Sequence, residues 1–373
     1  MATPIGRTNV FALDITDVDG SIEAVSPSAQ PAFATVSSTV TELTITPTNG
    51  TVTGRADVSL TIRDSAGGIT AQTVSIAVLD RQPSCFHYRA QGASLGDGVY
   101  PLRQPGGGPG CAVGNGCDYD AYCDMADNDV GEDGGGWTLV MKIDGGDDGF
   151  DYADSRWEDA IPGAPATGDG GAGLEQVATS NLVVDNDIKL RSFLHVKVDA
   201  LRVGLAPRTA GSTAFSFVAP NVVLGGATIG SAVTLFSAEQ RLIASPGAGE
   251  WLAIEGNTYE MQTACRRAGT NLRDGQGNDG NVSYLRVGLL GDDNAECTSP
   301  DSFVGLGADN ATTAGNRTTG GGNNRPRFGA LLVRSYDLTD VGSFDSCNDV
   351  IAAGYVDADA VYLVNGVPTS CAP

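Results

Sequence analysis

Histidine and lysine are almost missing: the 373 residues include 2 His, at 87 and 195, and lysine only at Lys142, Lys189 and Lys197. Neither His87 nor His195 stands in a context that suggests a Ser-His-Asp or Cys-His arrangement, so nucleophilic catalysis has little support and the chain reads as a non-enzyme. His195 sits in the alternating run Phe193-Leu194-His195-Val196-Lys197-Val198, which predicts a strand with the imidazole facing solvent. No Cys-x2-Cys pair is present, which argues against structural zinc. No apolar run reaches the ~18 residues of a membrane-spanning helix. Basic residues are few, 22 Lys+Arg against 45 Asp+Glu, giving a formal charge of −23. Such a surface repels phosphate backbones and anionic lipid, and the Arg266–Arg267 pair does not build a basic stripe, so nucleic acid is excluded as a partner. Acidic pairs abound, but none stands in an apolar stretch that would raise a carboxyl pKa as a glycosidase acid requires.

What is plentiful is glycine, 51 residues, and an even set of 8 cysteines, all after position 84. That cysteine usage suits an oxidising compartment, so an extracellular or cell-surface location is expected. Residues 1–81 carry no Cys or Trp and repeat a two-residue alternation at Val40–Thr46, Val58–Arg63 and Thr73–Val78. Turn residues fall between these runs at Asp19-Gly20, Asn49-Gly50 and Ala66-Gly67-Gly68. The pattern predicts a small β-sandwich. Asp17-Val18-Asp19-Gly20 and Asp64-Ser65-Ala66-Gly67-Gly68 resemble bacterial Ig-like or cadherin-like repeats, which implies a spacer in an extracellular protein. Asp14, Asp17 and Asp19 offer three carboxylates to a hard cation, or belong to a turn with solvated acids; the turn is the simpler reading.

Beyond the polar junction Asp80–Pro83 the texture changes. Helical patterns are short, at 174–182, 237–244 and 347–353, and Gly/Asp-rich loops fill 144–154, 163–173, 274–281 and 309–325. Four segments recur in a fixed order: Ser84-Cys85; Asp97-Gly98-Val99-Tyr100; Ala121-Tyr122-Cys123-Asp124-Met125; and Gly134-Gly135-Gly136-Trp137-Thr138-Leu139-Val140. Val99-Tyr100 and Thr138–Ile143 read as strands, and the glycine triplet lets backbone pass close ahead of an anchoring Trp. This order resembles the opening of the fibrinogen C-terminal domain superfamily, intelectins included. Phe150–Trp157, Phe303–Gly307 and Phe328–Arg334 extend the resemblance, so that it covers 84–336. The fold class expected is therefore mainly β with α+β character: an Ig-like sandwich over 1–81, then a loop-rich, disulfide-bonded fibrinogen/intelectin-like domain. The resemblance implies a Cys85–Cys123 bridge; Cys111 and Cys117 would add a local one, and Cys265 and Cys297 are expected to pair across an Asp/Asn-rich stretch.

The resemblance further implies recognition of glycans or cell-surface polysaccharide, often through Ca²⁺, as in a lectin or adhesin. A hard cation exchanges water for two sugar hydroxyls, and an aromatic face covers the sugar's C–H surface. Candidate oxygen ligands are Asp144, Asp147, Asp148 and Asp151; Asn271, Asp274, Asn278 and Asp279; and Asp292, Asp293, Asn294, Glu296 and Asp301. Intelectin-type sites place histidines beside the cation near the C-terminal disulfide, and this chain has none there, so those residues do not carry over. Asn310, Thr312, Thr313, Asn316 and Arg317 form a polar loop in the corresponding stretch; Trp137, Trp157 and Trp251 read as core anchors, and Trp251 is the one of them best suited to line a ligand surface.

The tail, 337–373, echoes the start of the domain. Ser346-Cys347, Asp359-Ala360-Val361-Tyr362 and Ser370-Cys371 parallel Ser84-Cys85, Asp97–Tyr100 and Tyr122-Cys123, so Cys347 and Cys371 are expected to pair. It reads either as the start of a second module or as a finished hairpin docked on its own domain or on another subunit. The second option brings a rival function, a structural subunit of an extracellular fibre that self-associates through the sandwich and the hairpin.

Overall fold

A computed structural model describes residues 2–5, 8–16, 21–48, 53–91, 96–104, 117–125, 135–146, 149–159, 187–207, 215–218, 221–224, 229–254, 261–273, 284–295, 300, 302–309, 313–317, 324–336, 338, 343–352, 361–365 and 367–371. The fold is mainly β. The first unit is built from β1 (Ala2–Pro4), β2 (Asn9–Ala12), β3 (Ile22–Pro27), β4 (Ala34–Ser38), β5 (Glu42–Pro47), β6 (Gly54–Asp64) and β7 (Ile69–Leu79). They form two sheets, ordered β1-β7-β6-β3 and β2-β5-β4. Alternate residues of both turn inward, and Val25, Val36, Leu43, Ile45, Val58, Leu60, Ile76 and Val78 make one core. The turn chemistry is local: Thr39 Oγ1 accepts the Glu42 N–H at 3.0 Å. Asp64 Oδ1 accepts the Ala66 and Gly68 N–H groups at 2.8 Å each. Gly67 between them takes φ +89°, a region glycine enters without penalty.

The second unit opens with α1 (Cys85–Ala90), β8 (Gly98–Gln104), β9 (Cys117–Asp124) and β10 (Trp137–Asp144). Then come β11 (Ile188–Lys189), α2 (Ser192–His195), β12 (Ala200–Pro207), β13 (Ser216–Phe217), β14 (Val222–Val223), α3 (Ala232–Phe236), β15 (Arg241–Leu242) and α4 (Ala248–Ala253). The long strands β16 (Cys265–Arg273), β17 (Tyr284–Asp292), β18 (Ser302–Ala308), β19 (Ala314–Arg317) and β20 (Asn324–Arg334) complete it. The sheet runs β15-β16-β17-β18-β19-β20-β10-β9-β8, and β20 also pairs β12. β10 and β20 are apolar because both faces are covered: Val140, Met141, Ile143, Leu331 and Val333 share the main core with Trp157, Phe193, Phe236 and Trp251. Gly135 and Gly136 take φ +73° and +80° ahead of buried Trp137. A Cβ on Gly135 would lie 2.3 Å from the Met125 carbonyl oxygen, so the close approach read from the glycine triplet is present.

The two units meet without a free linker. Ala77 and Leu79 of β7 pack with Tyr88, Tyr100, Leu102 and Tyr119. The Tyr88 hydroxyl donates to the Asp80 and Pro101 carbonyls at 3.1 and 2.7 Å.

The tail consists of β21 (Ser343–Phe344), α5 (Cys347–Ala352), β22 (Val361–Val364) and β23 (Val367–Ser370). The sequence echo is a structural one. In the first copy Gln82 bridges Leu102 in parallel, α1 follows from Cys85, and the β8–β9 hairpin returns to Cys123. In the second, β21 pairs β22 in parallel, α5 follows from Cys347, and β22–β23 returns to Cys371. Disulfides Cys85–Cys123 and Cys347–Cys371 close the two copies, with Cα–Cα distances of 5.5 and 5.4 Å. Tyr100 and Tyr362, at equal spacing after the helices, are both fully buried. The tail docks on its own domain: Val350 and Tyr362 pack on Phe86, Ala90 and Leu338, and the Val361 N–H donates to the Tyr336 carbonyl at 2.9 Å.

Candidate ligand-binding end of the second sheet

The strand ends sort the acidic candidates into two groups. Asp144 closes β10, and the segment after it turns at Gly145, whose N–H donates to the Arg327 carbonyl at 2.9 Å. A Cβ there would fall 1.9 Å from the Ala314 carbonyl oxygen, so the turn is pressed against β19 and β20. Asp144 is buried; its Oδ1 accepts the Gly146 N–H at 3.0 Å, and its own N–H donates to Asp187 Oδ1 at 2.7 Å. The chain then reaches Phe150 (φ +56°), Asp151, Tyr152 and a single 3-10 turn over Ser155–Trp157. Asp154 caps that turn, accepting the Phe150 N–H at 3.2 Å and the Arg156 N–H at 2.8 Å. Burial pulls the Asp154 carboxyl upward, but the Arg156 guanidinium and these N–H groups hold it below the usual carboxylate range.

Arg286, buried on β17, locks this loop to the sheet. Its Nε donates to the Tyr152 carbonyl at 2.8 Å, and its two terminal nitrogens donate to the Phe236 carbonyl (2.9 Å), Asn271 Oδ1 (3.1 Å) and Glu158 Oε1 (2.9 Å). The guanidinium carbon also lies 4.4 Å from the Tyr152 ring centroid. Asn271, at φ +48°, donates to the Leu235 and Ala238 carbonyls, so it is a structural residue tying α3 to β16. At the same end Arg273 donates to the Tyr152 hydroxyl at 2.7 Å. The Tyr152 and Tyr284 rings lie 5.1 Å apart, and Asp309 accepts the Tyr284 N–H at 3.3 Å. Thus the 144–159 loop, the ends of β16 and β17 that flank 274–283, and the end of β18 that leads into 310–312 converge on one end of the sheet.

Asp292 belongs to the opposite end of β17, paired in register with Cys265. It is fully buried, its Oδ1 accepts the Asn294 N–H at 3.1 Å, and Asp293 is exposed. The proposed cation ligands therefore split: Asp144 and Asp151 stand at one end, Asp292, Asp293 and Asn294 at the other. Asp147, Asp148, Asp274, Asn278, Asp279, Glu296 and Asp301 lie outside the described residues, as do Asn310 and Thr312. Among the described residues no group of three His, Cys, Asp or Glu is gathered as a ready metal cage. Asn316 and Arg317 lie on β19, with only their backbone described.

Trp251 lies in the main core at 1% exposure, its indole N–H without an acceptor among the described residues, rather than on a ligand surface. His195 corrects the expectation of a solvent-facing strand. It ends helix α2, is buried, and its ring lies 5.7 Å from that of Tyr119. Burial and then the nearby Arg191 charge hold its imidazole below the usual range. His87 is buried, with Nδ1 2.8 Å from Ser84 Oγ. Helix 237–244 is also corrected: α3 ends at Phe236, and 241–242 is strand. The helix expected at 174–182 lies outside the described residues. Cys265 carries a disulfide, while Cys111 and Cys297, and the Cys117 side chain, are not described.

Two buried lysines stand behind the site. Lys189 Nζ donates to the Arg156 and Asp159 carbonyls at 2.6 and 2.5 Å, fastening the far end of the 149–159 loop. Burial pushes Lys189 and Lys142 down to about 8. Sequence reasoning missed these lysines and three buried arginines. Arg202 pairs with Asp124 and covers the Phe217 ring at 3.9 Å. Arg334 covers Trp137 at 4.3 Å and donates to the Gly135 carbonyl, and Arg286 is the third. The chain matches no family model and no curated protein. No helix among the described residues is long and apolar enough to cross a membrane.

Proposed function

We propose that this chain is an extracellular or cell-surface adhesin whose second unit is a fibrinogen/intelectin-like domain that binds carbohydrate through Ca²⁺. The convergence just described supports this reading: the 149–159 segment and the ends of β16, β17 and β18 gather at one end of the sheet, and Arg286 braces Tyr152, Glu158 and Asn271 there. Asp144 and Asp151 supply oxygen donors there, and Tyr152 and Tyr284 supply ring surface of the kind that packs on sugar C–H groups. The acids at the Asp292 end form a second, separate candidate for the cation. The paired disulfides accord with an oxidising location.

The test is thermal melting and glycan-array binding of the whole chain, each with Ca²⁺ and with EDTA. Calcium at ~100 times its Kd stabilises a single-site protein by about 2.7 kcal/mol, and chelation is expected to abolish glycan capture. An unchanged melt together with no calcium-dependent glycan signal overturns the reading. A second reading, a structural subunit of an extracellular fibre, draws on one observation: among the described residues, β7 leaves most of one edge bare.

A further inference from the structure

We propose that the carbohydrate taken at the Tyr152–Tyr284 end of the sheet is an acidic one, a uronic acid whose carboxylate is gripped by Arg273; this rests on the glycan-binding reading above and names its ligand class. Arg273 is the last residue of β16 and stands directly opposite Tyr284, the first residue of β17. It is exposed, and its Nε donates to the Tyr152 hydroxyl at 2.7 Å. Tyr152 is buried, with its carbonyl bonded by Arg286 and its ring covered by the same guanidinium. One edge of the Arg273 guanidinium is therefore fixed on a braced phenol. Its two terminal nitrogens have no carboxylate partner among the described residues, where its contacts are with Tyr152 alone.

The donors left over at this end select the ligand. A guanidinium offers N–H groups and accepts nothing. The Tyr152 oxygen already takes the Arg273 N–H, so the phenol's own proton remains to be given. The Tyr284 hydroxyl has no partner among the described residues, where that side chain meets only the Tyr152 ring at 5.1 Å. A neutral sugar brings hydroxyls that are donors as much as acceptors and leaves the charge unanswered. A carboxylate brings acceptors only, and it fits a guanidinium through two parallel N–H···O bonds. The half-exposed Tyr284 ring supplies a flat apolar surface for the pyranose that carries it.

The acids at this end are engaged elsewhere. Glu158, whose charge reaches Arg273, takes an Arg286 N–H on Oε1 at 2.9 Å, and Asp309 accepts the Tyr284 N–H at 3.3 Å. Asp151 is the oxygen donor assigned above to the cation. A chain of −23 repels anions over most of its surface, so a uronate is held here by short-range contact and not by the general field. Preference for the acid form should then depend on a single side chain.

An array pairing galacturonate, glucuronate, mannuronate and guluronate oligosaccharides with their carboxyl-reduced forms, probed with the whole chain in Ca²⁺, tests this. Each reduced form keeps the ring and linkage and loses the charge. The wild type is expected to capture at least one acid form about tenfold better than its reduced counterpart. Arg273→Gln should bring that ratio close to one, and Arg273→Lys, which keeps the charge but loses the fork, should fall between. Equal capture of acid and reduced forms by the wild type, or an acid preference that survives Arg273→Gln, overturns the acidic subsite and leaves the glycan reading standing. No capture of any sugar, acid or neutral, with Ca²⁺ or with EDTA, overturns both.

Discussion

Replacing Arg286 with Met isolates what holds the candidate site in place. The methionine keeps the apolar stem but removes every donor, leaving the Tyr152 carbonyl, the Phe236 carbonyl and Asn271 Oδ1 without the guanidinium that now lies 2.8, 2.9 and 3.1 Å away. A buried acceptor stripped of its donor costs about 1–3 kcal/mol, and three neighbours sharing one donor do not add fully, so a loss of about 3–6 kcal/mol is expected. The ion pair to Glu158 contributes little of this, because that carboxylate side chain is 47% exposed; Glu158→Gln should cost under ~1 kcal/mol. Urea unfolding followed by tryptophan fluorescence reads the second unit alone, since the 3 tryptophans, 137, 157 and 251, all lie within it. If Arg286→Met costs under ~1 kcal/mol, or no more than Glu158→Gln, the bracing role assigned to Arg286 is wrong.

Gly145→Ala should destabilise the same end by several kcal/mol, because its Cβ would collide with main-chain oxygen at 1.9 Å from the Ala314 carbonyl; a urea midpoint within ~0.3 M of wild type would contradict the packing. Lys142 gives a pH signature. Burial lowers it from 10.5 to about 8, so between those values the unfolded chain holds a proton that the folded chain has released, and stability should rise with pH across that window. Melts from pH 7 to 10 should show this rise in wild type and a flatter slope in Lys142→Met; equal slopes refute it. The paired change Cys347→Ser/Cys371→Ser opens a bridge of sequence separation 24 and should cost about 3 kcal/mol. Proteolysis should then cut first within the tail, and cleavage confined to 1–81 would show that the tail stays docked without it.

The strands were legible where burial is one-sided or complete. The alternation at 58–63 and 73–78 lies within β6 and β7, and the apolar runs at 138–143 and 328–334 lie within β10 and β20, each enclosed by neighbours. Short segments were not. Phe193–Val198 alternates like a strand, yet Ser192 Oγ donates to the Leu139 carbonyl at 2.6 Å and Phe193 stacks on Phe236 at 5.8 Å, which sets a helical turn. The helix expected at 237–244 instead ends at Phe236, and it starts after Ser231, whose hydroxyl caps it by accepting the Thr234 N–H at 3.4 Å. Of the candidate site, the acids at 144 and 151 could be nominated from sequence. Their separation from Asp292 could not, because it depends on which end of a nine-residue strand each loop leaves. The buried arginines were invisible for a related reason: key partners, such as the Tyr152 carbonyl for Arg286 and the Gly135 carbonyl for Arg334, lie more than a hundred positions away.

The place of β20 sets the order in which the second unit can be made. Residues 328–333 slot between β10 and β12, pairing Thr138–Asp144 on one side and 201–206 on the other. A ribosome releases those two flanking strands long before it supplies the one that joins them. Until then each presents an apolar ribbon with no neighbour on that side, the species most prone to wrong association. The sandwich, whose pairings close within its own residues, can be finished early. Synthesis should therefore pass through a long-lived stage with a folded head and an open, sticky body, and yield should depend on how quickly the last third of the chain emerges.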